Sequence, residues 1–237
     1  MKTALITGGQ QGIGLGIAQA LHDAGWRIAI ASEPPTADLP FDATYHQHDV
    51  RYLDAIPALL DAVGPVTTFV SNAGVGALSR GDLLDMTPES FDRCIDINTR
   101  GAFFLAQEVA RRMLIQPADP FRSISFITSV SATMSNPDRA EYNASKAATA
   151  ALVQAFALRL ATDGIGVYDI RPGIIASPMT APVADRYTAR IPDLIPQARW
   201  GQPADIGAVM VPLARGDFAY STGAVIPVDG GMSIERF

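Results

Sequence analysis

The sequence predicts a single α/β domain built on a doubly wound parallel β-sheet. Seven short runs rich in Ile, Val and Thr alternate with longer segments of helical periodicity. Parallel strands need long crossovers between them, so this alternation predicts a seven-stranded sheet with helices on both faces. A chain of 237 residues can bury a complete core without a second domain. We therefore expect one domain over 1–237.

Turn residues bound each predicted element. The strands are predicted at 3–7, 27–32, 44–48, 67–71, 123–129, 166–170 and 224–228. Helical periodicity indicates helices near 13–24, 52–63, 88–115, 141–162 and 203–214.

Three connections depart from plain alternation. The stretch 33–43 looks like a truncated crossover, and 115–123 is rich in proline without a role that the sequence indicates. The stretch 177–200 contains four prolines and is long for a loop. Long loops of this kind are often lids over a site, which is what we expect here. The alternative is a surface excursion packed for stability.

Composition argues against several classes of protein. A net charge of −6 and a pI near 5.0 do not suit a nucleic-acid surface, and the only tight basic pair is Arg111-Arg112. Cys94 is the only cysteine, so no intrachain disulfide can form. The first apolar run is too short for a signal peptide, and no run approaches the length of a membrane span. We expect a cytoplasmic protein with neither nucleic acid nor membrane as partner.

A glycine-rich turn follows the first predicted strand. The segment "TGGQQGIG", Thr7 to Gly14, opens directly into a predicted helix. Gly8, Gly12 and Gly14 let the backbone turn tightly and approach a pyrophosphate, whose charge then faces the helix N-terminus. The alternative is a tight turn with a purely structural role. The order of strand, turn and helix favours a dinucleotide cofactor and hence a Rossmann fold.

Tyr142 and Lys146 stand four residues apart at the head of a long Ala-rich segment. Residues at this spacing share one helix face, so the ammonium can approach the phenol. A free tyrosine, with a pKa near 10, is a slow acid or base at neutral pH, and a neighbouring cation favours the tyrosinate. The pair can therefore transfer a proton. Taken singly, Tyr142 also suits an amphipathic helix and Lys146 a solvated charge.

Several ordered motifs make the chain similar to the classical short-chain dehydrogenase/reductase family. The first turn matches the family's TGxxxGxG pattern, "NAG" (72–74) follows the fourth strand, and "DINTRGAF" (96–103) follows in a helix. Tyr142-xxx-Lys146 comes thirteen residues after Ser129, which lies in the "SVS" that closes the fifth strand. "RPG" (171–173) and "VDGG" (228–231) follow the last two strands. The resemblance covers essentially the whole chain.

The resemblance implies a role for each matching position. Ser129 would hold the substrate oxygen, Tyr142 would transfer the proton, Lys146 would also bind the nicotinamide ribose, and Asn98 would connect the lysine through water to solvent. Singly, Ser129 also suits a strand-end hydroxyl and Asn98 a polar helix residue. The implied cofactor site consists of Thr7, Gly8, Gln11, Gly12, Ile13, Gly14, Ser32, Glu33, Asp49, Val50, Asn72, Ala73, Gly74, Tyr142, Lys146, Pro172, Gly173, Ile175 and Ser177.

The end of the second predicted strand bears on the choice between NAD and NADP. In the family an acidic residue there binds the ribose hydroxyls, whereas a basic residue there or in the glycine loop accepts the phosphate of NADP. Here Ser32 takes that position, Glu33 follows it, and Gln11 in the glycine loop is uncharged. This pattern favours NAD. Ser32 and a distant arginine are the features that would favour NADP.

The segment "HQHD" (46–49) raises the question of a metal site. His46 and His48 share one strand face, but two imidazoles without an evident third ligand make a poor site. Asp49 has another explanation, since the resemblance implies that it binds the adenine ring. We therefore expect no metal.

The leading hypothesis is an NAD(P)-dependent oxidoreductase that interconverts a secondary alcohol and a ketone. The resemblance implies either a dehydrogenase of a sugar, polyol or similar small alcohol or a 3-oxoacyl-carrier-protein reductase. Asn136, Arg139 and Glu141 near the expected site favour the hydroxylated small molecule. The other classes are a catalytically silent nucleotide-binding regulator, which the intact catalytic set argues against, and an extended-type epimerase, whose longer substrate domain is missing.

Assembly is predicted from apolar residues on two long helices. The segments 88–115 and 141–162 carry more apolar positions than one sheet face covers, including Phe103, Phe104, Leu152, Phe156 and Leu160. The resemblance implies a homotetramer through these two helices, with the segment 228–237 at a second interface. A dimer is the alternative.

Overall fold

The computed structural model describes residues 2–235, which form one parallel sheet flanked by helices. Its strands are β1 Thr3–Thr7, β2 Arg27–Ser32, β3 Ala43–Gln47, β4 Thr68–Ser71, β5 Arg122–Ile127, β6 Ile165–Pro172 and β7 Val225–Val228. They lie in the order β3-β2-β1-β4-β5-β6-β7, and every neighbouring pair is parallel. The predicted seven-stranded, doubly wound Rossmann fold is confirmed.

The helices are α1 Gly12–Asp23, α2 Ile56–Val63, α3 Pro88–Ile95, α4 Ala102–Leu114, α5 Ala140–Leu160, α6 Ala184–Thr188, α7 Ile191–Leu194 and α8 Pro203–Arg215. The single helix predicted at 88–115 is wrong in one respect, because a π-helical segment, Asp96–Gly101, separates α3 from α4. Apolar periodicity detects the buried face but not one wider turn within it. Between β2 and β3 the chain has no helix, as the truncated connection predicted.

The sheet separates two apolar layers. Successive side chains on a strand point to opposite faces: Leu5 of β1 packs with α2, α4 and α5, whereas Ala4 and Ile6 pack with α1 and α8. Both faces are covered, which explains why the strands read as nearly continuous apolar runs.

Two residues predicted as surplus apolar surface on α5 belong to this core. Phe156 and Leu160 are 9% and 2% exposed and pack under the sheet, so that part of the prediction is wrong. Phe103 also packs against the core, whereas Phe104 remains 38% exposed. The outer face of α5 instead presents Leu158, which is 82% exposed.

The segment 177–200 folds over one end of the sheet. Ile191 of α7 and Ile195, which follows it, pack with Ile174, and Tyr187 of α6 and Trp200 lie at the edge of this cluster. The indole Nε1 of Trp200 donates to Thr188 Oγ1 at 3.2 Å. This small apolar cluster, separate from the main core, holds the segment over the carboxyl ends of the strands.

No helix within residues 2–235 combines the length and apolarity that crossing a membrane requires. Over the same residues, no three His, Cys, Asp or Glu side chains lie close enough together to hold a metal ion. The predicted interface segment 228–237 ends outside the described residues. Cytoplasmic location stays a prediction.

Candidate active site

A cleft of about 660 Å³ runs along the carboxyl ends of the strands. It crosses the point where β1 has β2 on one side and β4 on the other, which is where doubly wound sheets bind ligands. The residues proposed for the cofactor that line it are Gly8, Gln11, Gly12, Ile13, Gly14, Ser32, Glu33, Asp49, Val50, Asn72, Ala73, Gly74, Tyr142, Lys146, Pro172, Gly173, Ile175 and Ser177. Sequence reasoning therefore located this cleft.

Thr7 is the exception among the proposed cofactor residues. It is 1% exposed and does not line the cleft. Its Oγ1 accepts hydrogen bonds from the backbone N–H groups of Asn72 and Ala73, both at 2.9 Å. The expectation of direct cofactor contact is corrected: Thr7 ties the turn after β4 to the end of β1.

The glycine turn brings backbone close to backbone. Gly8 has a φ of 64°, and a Cβ on Gly14 would lie 2.3 Å from the carbonyl oxygen of Gly8. Asn72 fastens the turn, since its Nδ2 donates to the carbonyl oxygens of Thr7 and Gly8 at 2.8 and 3.1 Å. Only glycine fits at Gly14, so the turn after β1 and the first turn of α1 can pack this closely.

Ser129, Tyr142 and Lys146 meet in the middle of the cleft. Each is buried, at 8%, 7% and 6% exposure. Ser129 precedes a 3₁₀ turn, and its Oγ accepts from the Ser131 N–H at 3.0 Å. Lys146 Nζ lies 5.8 Å from the centre of the Tyr142 ring and donates to the Ile127 carbonyl oxygen at 2.9 Å. The predicted grouping of these three side chains is present.

Asn98 lies behind this group rather than in the cleft lining. It is 2% exposed in the π-helical segment, and its Oδ1 accepts from the Val75 N–H at 2.8 Å. Its Nδ2 donates to Val75 O and to Ser145 Oγ, both at 2.9 Å. Gly74 separates it from the lysine, since a Cβ there would lie 3.1 Å from Asn98 Oδ1 and 3.4 Å from Lys146 Nζ.

The β2 end of the cleft carries more negative than positive charge. Arg51 makes a two-pronged ion pair with Asp49, through Nε and Nη2, and its Nη2 also lies 3.7 Å from Glu33. The hydrogen bonds from Arg51 lower the pKa of Asp49 against the opposing effect of burial. Ser32 Oγ donates to Gln10 Oε1 at 2.7 Å. Arg51 was not predicted from the sequence; it is the distant arginine of the NADP alternative, and two carboxylates already surround it.

His48 also lines this end of the cleft, with a largely buried side chain. It is 5% exposed, and its Nε2 has no hydrogen-bond partner among the described residues. Burial lowers the pKa of His48 despite the nearby charge of Asp49. Its Nε2 is thus a buried, neutral polar atom without a hydrogen-bond partner within residues 2–235.

The other end of the cleft is basic. Arg80, Arg139, Arg186 and Arg190 line it together with Tyr187. Of these, sequence reasoning singled out only Arg139. The others lie in loops and a short helix without a recognisable motif, so nothing local marked them.

Glu141 does not face the cleft, and its expected place beside the substrate is corrected. It is 3% exposed and accepts a hydrogen bond from Ser90 Oγ at 2.5 Å. Burial and the charge of Glu141 raise the pKa of the neighbouring Cys94 thiol to about 11, so that cysteine is an inert core residue.

The cleft suits a dinucleotide in shape and chemistry. Gly8, Gly12 and Gly14 of the glycine turn line the cleft directly at the N-terminus of α1, where backbone N–H groups can bind a pyrophosphate. At the β2 end, the cleft is lined by Glu33 and by His48, whose buried Nε2 lacks a hydrogen-bond partner among the described residues.

Comparison with known proteins decides the family. The family profile described as enoyl-(acyl carrier protein) reductase matches residues 8–233. The chain belongs to the classical short-chain dehydrogenase/reductase family. The 3-oxoacyl-[acyl-carrier-protein] reductase MabA of Mycobacterium tuberculosis is 36% identical over 98% of this chain and 93% of its own.

Solved structures of the same family superpose closely on this short-chain dehydrogenase/reductase. A 3-oxoacyl-[acyl-carrier protein] reductase from Brucella melitensis, in complex with NAD, has a TM-score of 0.95 and 43% identity, covering 100% of this chain and 98% of that one. A putative gluconate dehydrogenase from Agrobacterium tumefaciens has a TM-score of 0.91 and 29% identity, covering 99% and 97%. The protein is thus an NAD(P)-dependent oxidoreductase acting on carbonyl or hydroxyl groups.

Proposed function

We propose that this short-chain dehydrogenase/reductase interconverts a 3-oxo and a 3-hydroxy group of an acyl substrate, with NAD(H) as cofactor. The observation that carries the proposal is the meeting of Ser129, Tyr142 and Lys146 beside the glycine turn. The substrate class rests on relatives: proteins named 3-oxoacyl-carrier-protein reductases are 36% identical in sequence and, as a solved structure, 43% identical. They favour this substrate over the polyol or sugar that the sequence suggested first.

In this proposal the chain's own residues manage the oxygen and its proton. The glycine turn and Lys146 would hold a nicotinamide cofactor, which would supply or take up the hydride. Ser129 and Tyr142 hold the substrate oxygen by hydrogen bonds, and Tyr142 gives its proton to that oxygen during reduction. Lys146 stabilises the tyrosinate that remains and binds the ribose. Asn98 positions the backbone beside Lys146. Through water, it also connects the lysine to solvent.

The charge at the β2 end supports NAD over NADP. Glu33 is well placed to accept hydrogen bonds from ribose hydroxyls, and Arg51 is neutralised by Asp49. A 2′-phosphate would therefore meet two carboxylates and a cation that is already paired. The NAD complex of the Brucella relative agrees with this choice.

The second candidate remains a dehydrogenase of a hydroxylated small molecule. The basic end of the cleft favours this candidate. Arg80, Arg139 and Arg186 line it, and burying charged side chains against a long apolar acyl chain is unfavourable. The relative named as a putative gluconate dehydrogenase also belongs to this class.

One panel of assays tests the proposal. Acetoacetyl thioesters with NADH or NADPH, and 3-hydroxyacyl compounds, gluconate and polyols with NAD or NADP, are compared by kcat/KM. The proposal expects turnover of a 3-oxo or 3-hydroxyacyl compound with NAD(H) above the polyols. Turnover of polyols alone would favour the second candidate, and no turnover of any compound would favour the silent regulator.

Two further parts of the prediction belong to this proposal. We propose that 177–200 acts as a lid, since α6 places Arg186 and Tyr187 in the cleft lining. We also propose a homotetramer, with a dimer as the alternative, because Leu158 and Phe104 leave exposed apolar surface on α5 and α4.

A further inference from the structure

Three distant segments bring arginines together at the substrate end of the cleft. Arg80 follows β4, Arg139 precedes α5, and Arg186 lies on α6. All three line the cleft and act on Tyr187, which lies among them. Such a cluster cannot arise from local composition, because its members are brought together only by the fold.

The contacts show how the cluster is built. Arg80 Nη1 donates to the Tyr187 hydroxyl at 3.0 Å, and its guanidinium lies 5.9 Å from the centre of that ring. Arg139 stands over the ring of Tyr142 at 5.0 Å and donates from Nη2 to Ser131 Oγ at 3.1 Å. The cluster therefore reaches to the proposed proton donor.

Within residues 2–235, ion pairs balance only part of the positive charge of the cluster. Asp138 is the one acidic side chain lining this end within residues 2–235, and it pairs with Arg186 at 2.7 Å. No carboxylate among the described residues forms an ion pair with Arg80 or Arg139. In addition, the Nε of Arg139 is buried and has no hydrogen-bond partner there. Arg80 and Arg139 thus line the cleft as cations without a carboxylate partner among these residues, and such cations suit an anionic ligand.

The pKa of Tyr187 reflects the same excess of positive charge. Burial raises the pKa of Tyr187, but the hydrogen bond from Arg80 and the charges of Arg139, Arg80 and Arg186 hold it below its ordinary value. In a protein with a net charge of −6, this positive field is local to the cleft.

We propose that Arg80, Arg139 and Tyr187 form a subsite for a free carboxylate of the substrate, close to the reacting carbon. The inference rests on the proposed function and narrows its substrate class to an oxo or hydroxy acid rather than a neutral thioester. Arginine suits a carboxylate because its planar fork can donate two parallel hydrogen bonds. The guanidinium of Arg139 lies 5.0 Å from the centre of the Tyr142 ring. Only a few bonds can therefore separate the carboxylate of the substrate from its reacting carbon.

An acidic carrier protein is the competing occupant. It would have to bind outside the cleft, whereas Arg80 and Arg139 are half-buried within it. These positions favour a small carboxylate.

The kinetic test compares 3-hydroxybutyrate with its methyl ester, using NAD. We expect the acid to be preferred, and Arg80→Met to lower the ratio of kcat/KM for acid over ester by about 10- to 100-fold, the value of a charged hydrogen bond. Tyr187→Phe, which removes only one hydroxyl of the subsite, provides a second variant should Arg80→Met fold poorly, and it should lower the ratio in the same direction. Arg111→Met, on the outer surface of α4, is the matched control and should leave the ratio unchanged.

A binding test needs no turnover. The phenolate absorbance of the parent protein is titrated with and without 3-hydroxybutyrate or malonate, and Tyr187→Phe identifies the contribution of Tyr187. A carboxylate bound to the arginines should move the Tyr187 transition to higher pH, because it offsets the positive charge that favours the phenolate.

The outcomes separate the inference from the proposed function. The subsite would be overturned, and the proposed function would stand, if three results came together. Acid and ester would be used equally, Arg80→Met would leave their ratio unchanged, and the phenolate transition would not move. A carboxylate-dependent transition without turnover of any 3-oxo or 3-hydroxyacyl compound would keep the subsite and reject the proposed function. If Arg80→Met reduces turnover of a carrier-bound thioester alone, the arginines serve an acidic carrier and the carboxylate subsite is wrong.

Discussion

The side-chain amide of Asn98 donates a hydrogen bond of 2.9 Å to the hydroxyl of Ser145. That hydroxyl in turn donates to the carbonyl oxygen of Tyr142 at 2.8 Å. The π-helical segment is thereby connected to the first turns of α5, which carry Tyr142 and Lys146. Asn98 is thus placed to position both side chains through one shared hydroxyl.

The first prediction concerns this connection. Asn98→Ala leaves the part-buried Val75 N–H without its acceptor, so the free energy of unfolding should fall by about 1–3 kcal/mol, measured by urea denaturation. The value of kcat should fall as well. Ser145→Ala, which removes the same 2.9 Å bond but keeps Asn98, is the matched variant. Equal losses of kcat in the two would limit Asn98 to positioning, whereas a larger loss in Asn98→Ala supports its place in the proton path.

Tyr142→Phe should abolish turnover while leaving NADH binding nearly intact. The change removes one hydroxyl and keeps the ring that Arg139 and Lys146 flank. Loss of a general acid costs about 10²- to 10⁴-fold in kcat. Steady-state kinetics and NADH fluorescence titration measure the two effects separately. A variant with more than about half of the parent kcat at neutral pH would show that another group transfers the proton.

Lys146→Ala should damage both cofactor binding and chemistry. Lys146 is 6% exposed beside the tyrosine, and its ammonium is proposed to reach the ribose. KM for the cofactor should rise, and the pH of fastest turnover should move upward because the tyrosinate loses its neighbouring cation. Lys2, which lies over Trp26 far from the cleft, offers a control in Lys2→Ala. An unchanged KM together with an unchanged pH profile contradicts both roles.

Cofactor choice can be reversed at the end of β2. Replacing Ser32 and Glu33 with a pair that contains arginine should raise kcat/KM for NADP, with each tenfold gain corresponding to about 1.4 kcal/mol. Arg51→Ala is the informative companion, because Arg51 is the natural cation nearest this point. If the parent already prefers NADP and Arg51→Ala removes that preference, the assignment to NAD is wrong.

The fifth prediction concerns assembly. Leu158→Glu places a charge on the exposed outer face of α5 and should convert the proposed tetramer to smaller species, as measured by light scattering. Leu84→Glu is the control, since Leu84 is 89% exposed on a loop outside both long helices. A fully active parent monomer at micromolar concentration would remove this prediction without affecting the chemistry.

The sequence by itself determined those features that depend on local spacing. Alternating strands and helices gave the sheet, because burial of both faces requires apolar runs separated by crossovers. The spacing of Gly8, Gly12 and Gly14 identified the turn at the N-terminus of α1, and the four-residue interval from Tyr142 to Lys146 placed both on one helix face.

Tertiary structure alone decided which distant groups share a surface. Arg80 and Tyr187 are 107 residues apart in the chain and yet hydrogen-bonded, and Thr7 faces the turn after β4 rather than the cleft. The sequence predicts Phe156 as part of an exposed apolar surface, but it is buried under the sheet. Local periodicity predicts that the apolar face of an element must be covered. Which segment covers that face follows only from the packing of the whole chain. For the same reason the basic end of the cleft, and with it the proposed carboxylate subsite, had no local signal.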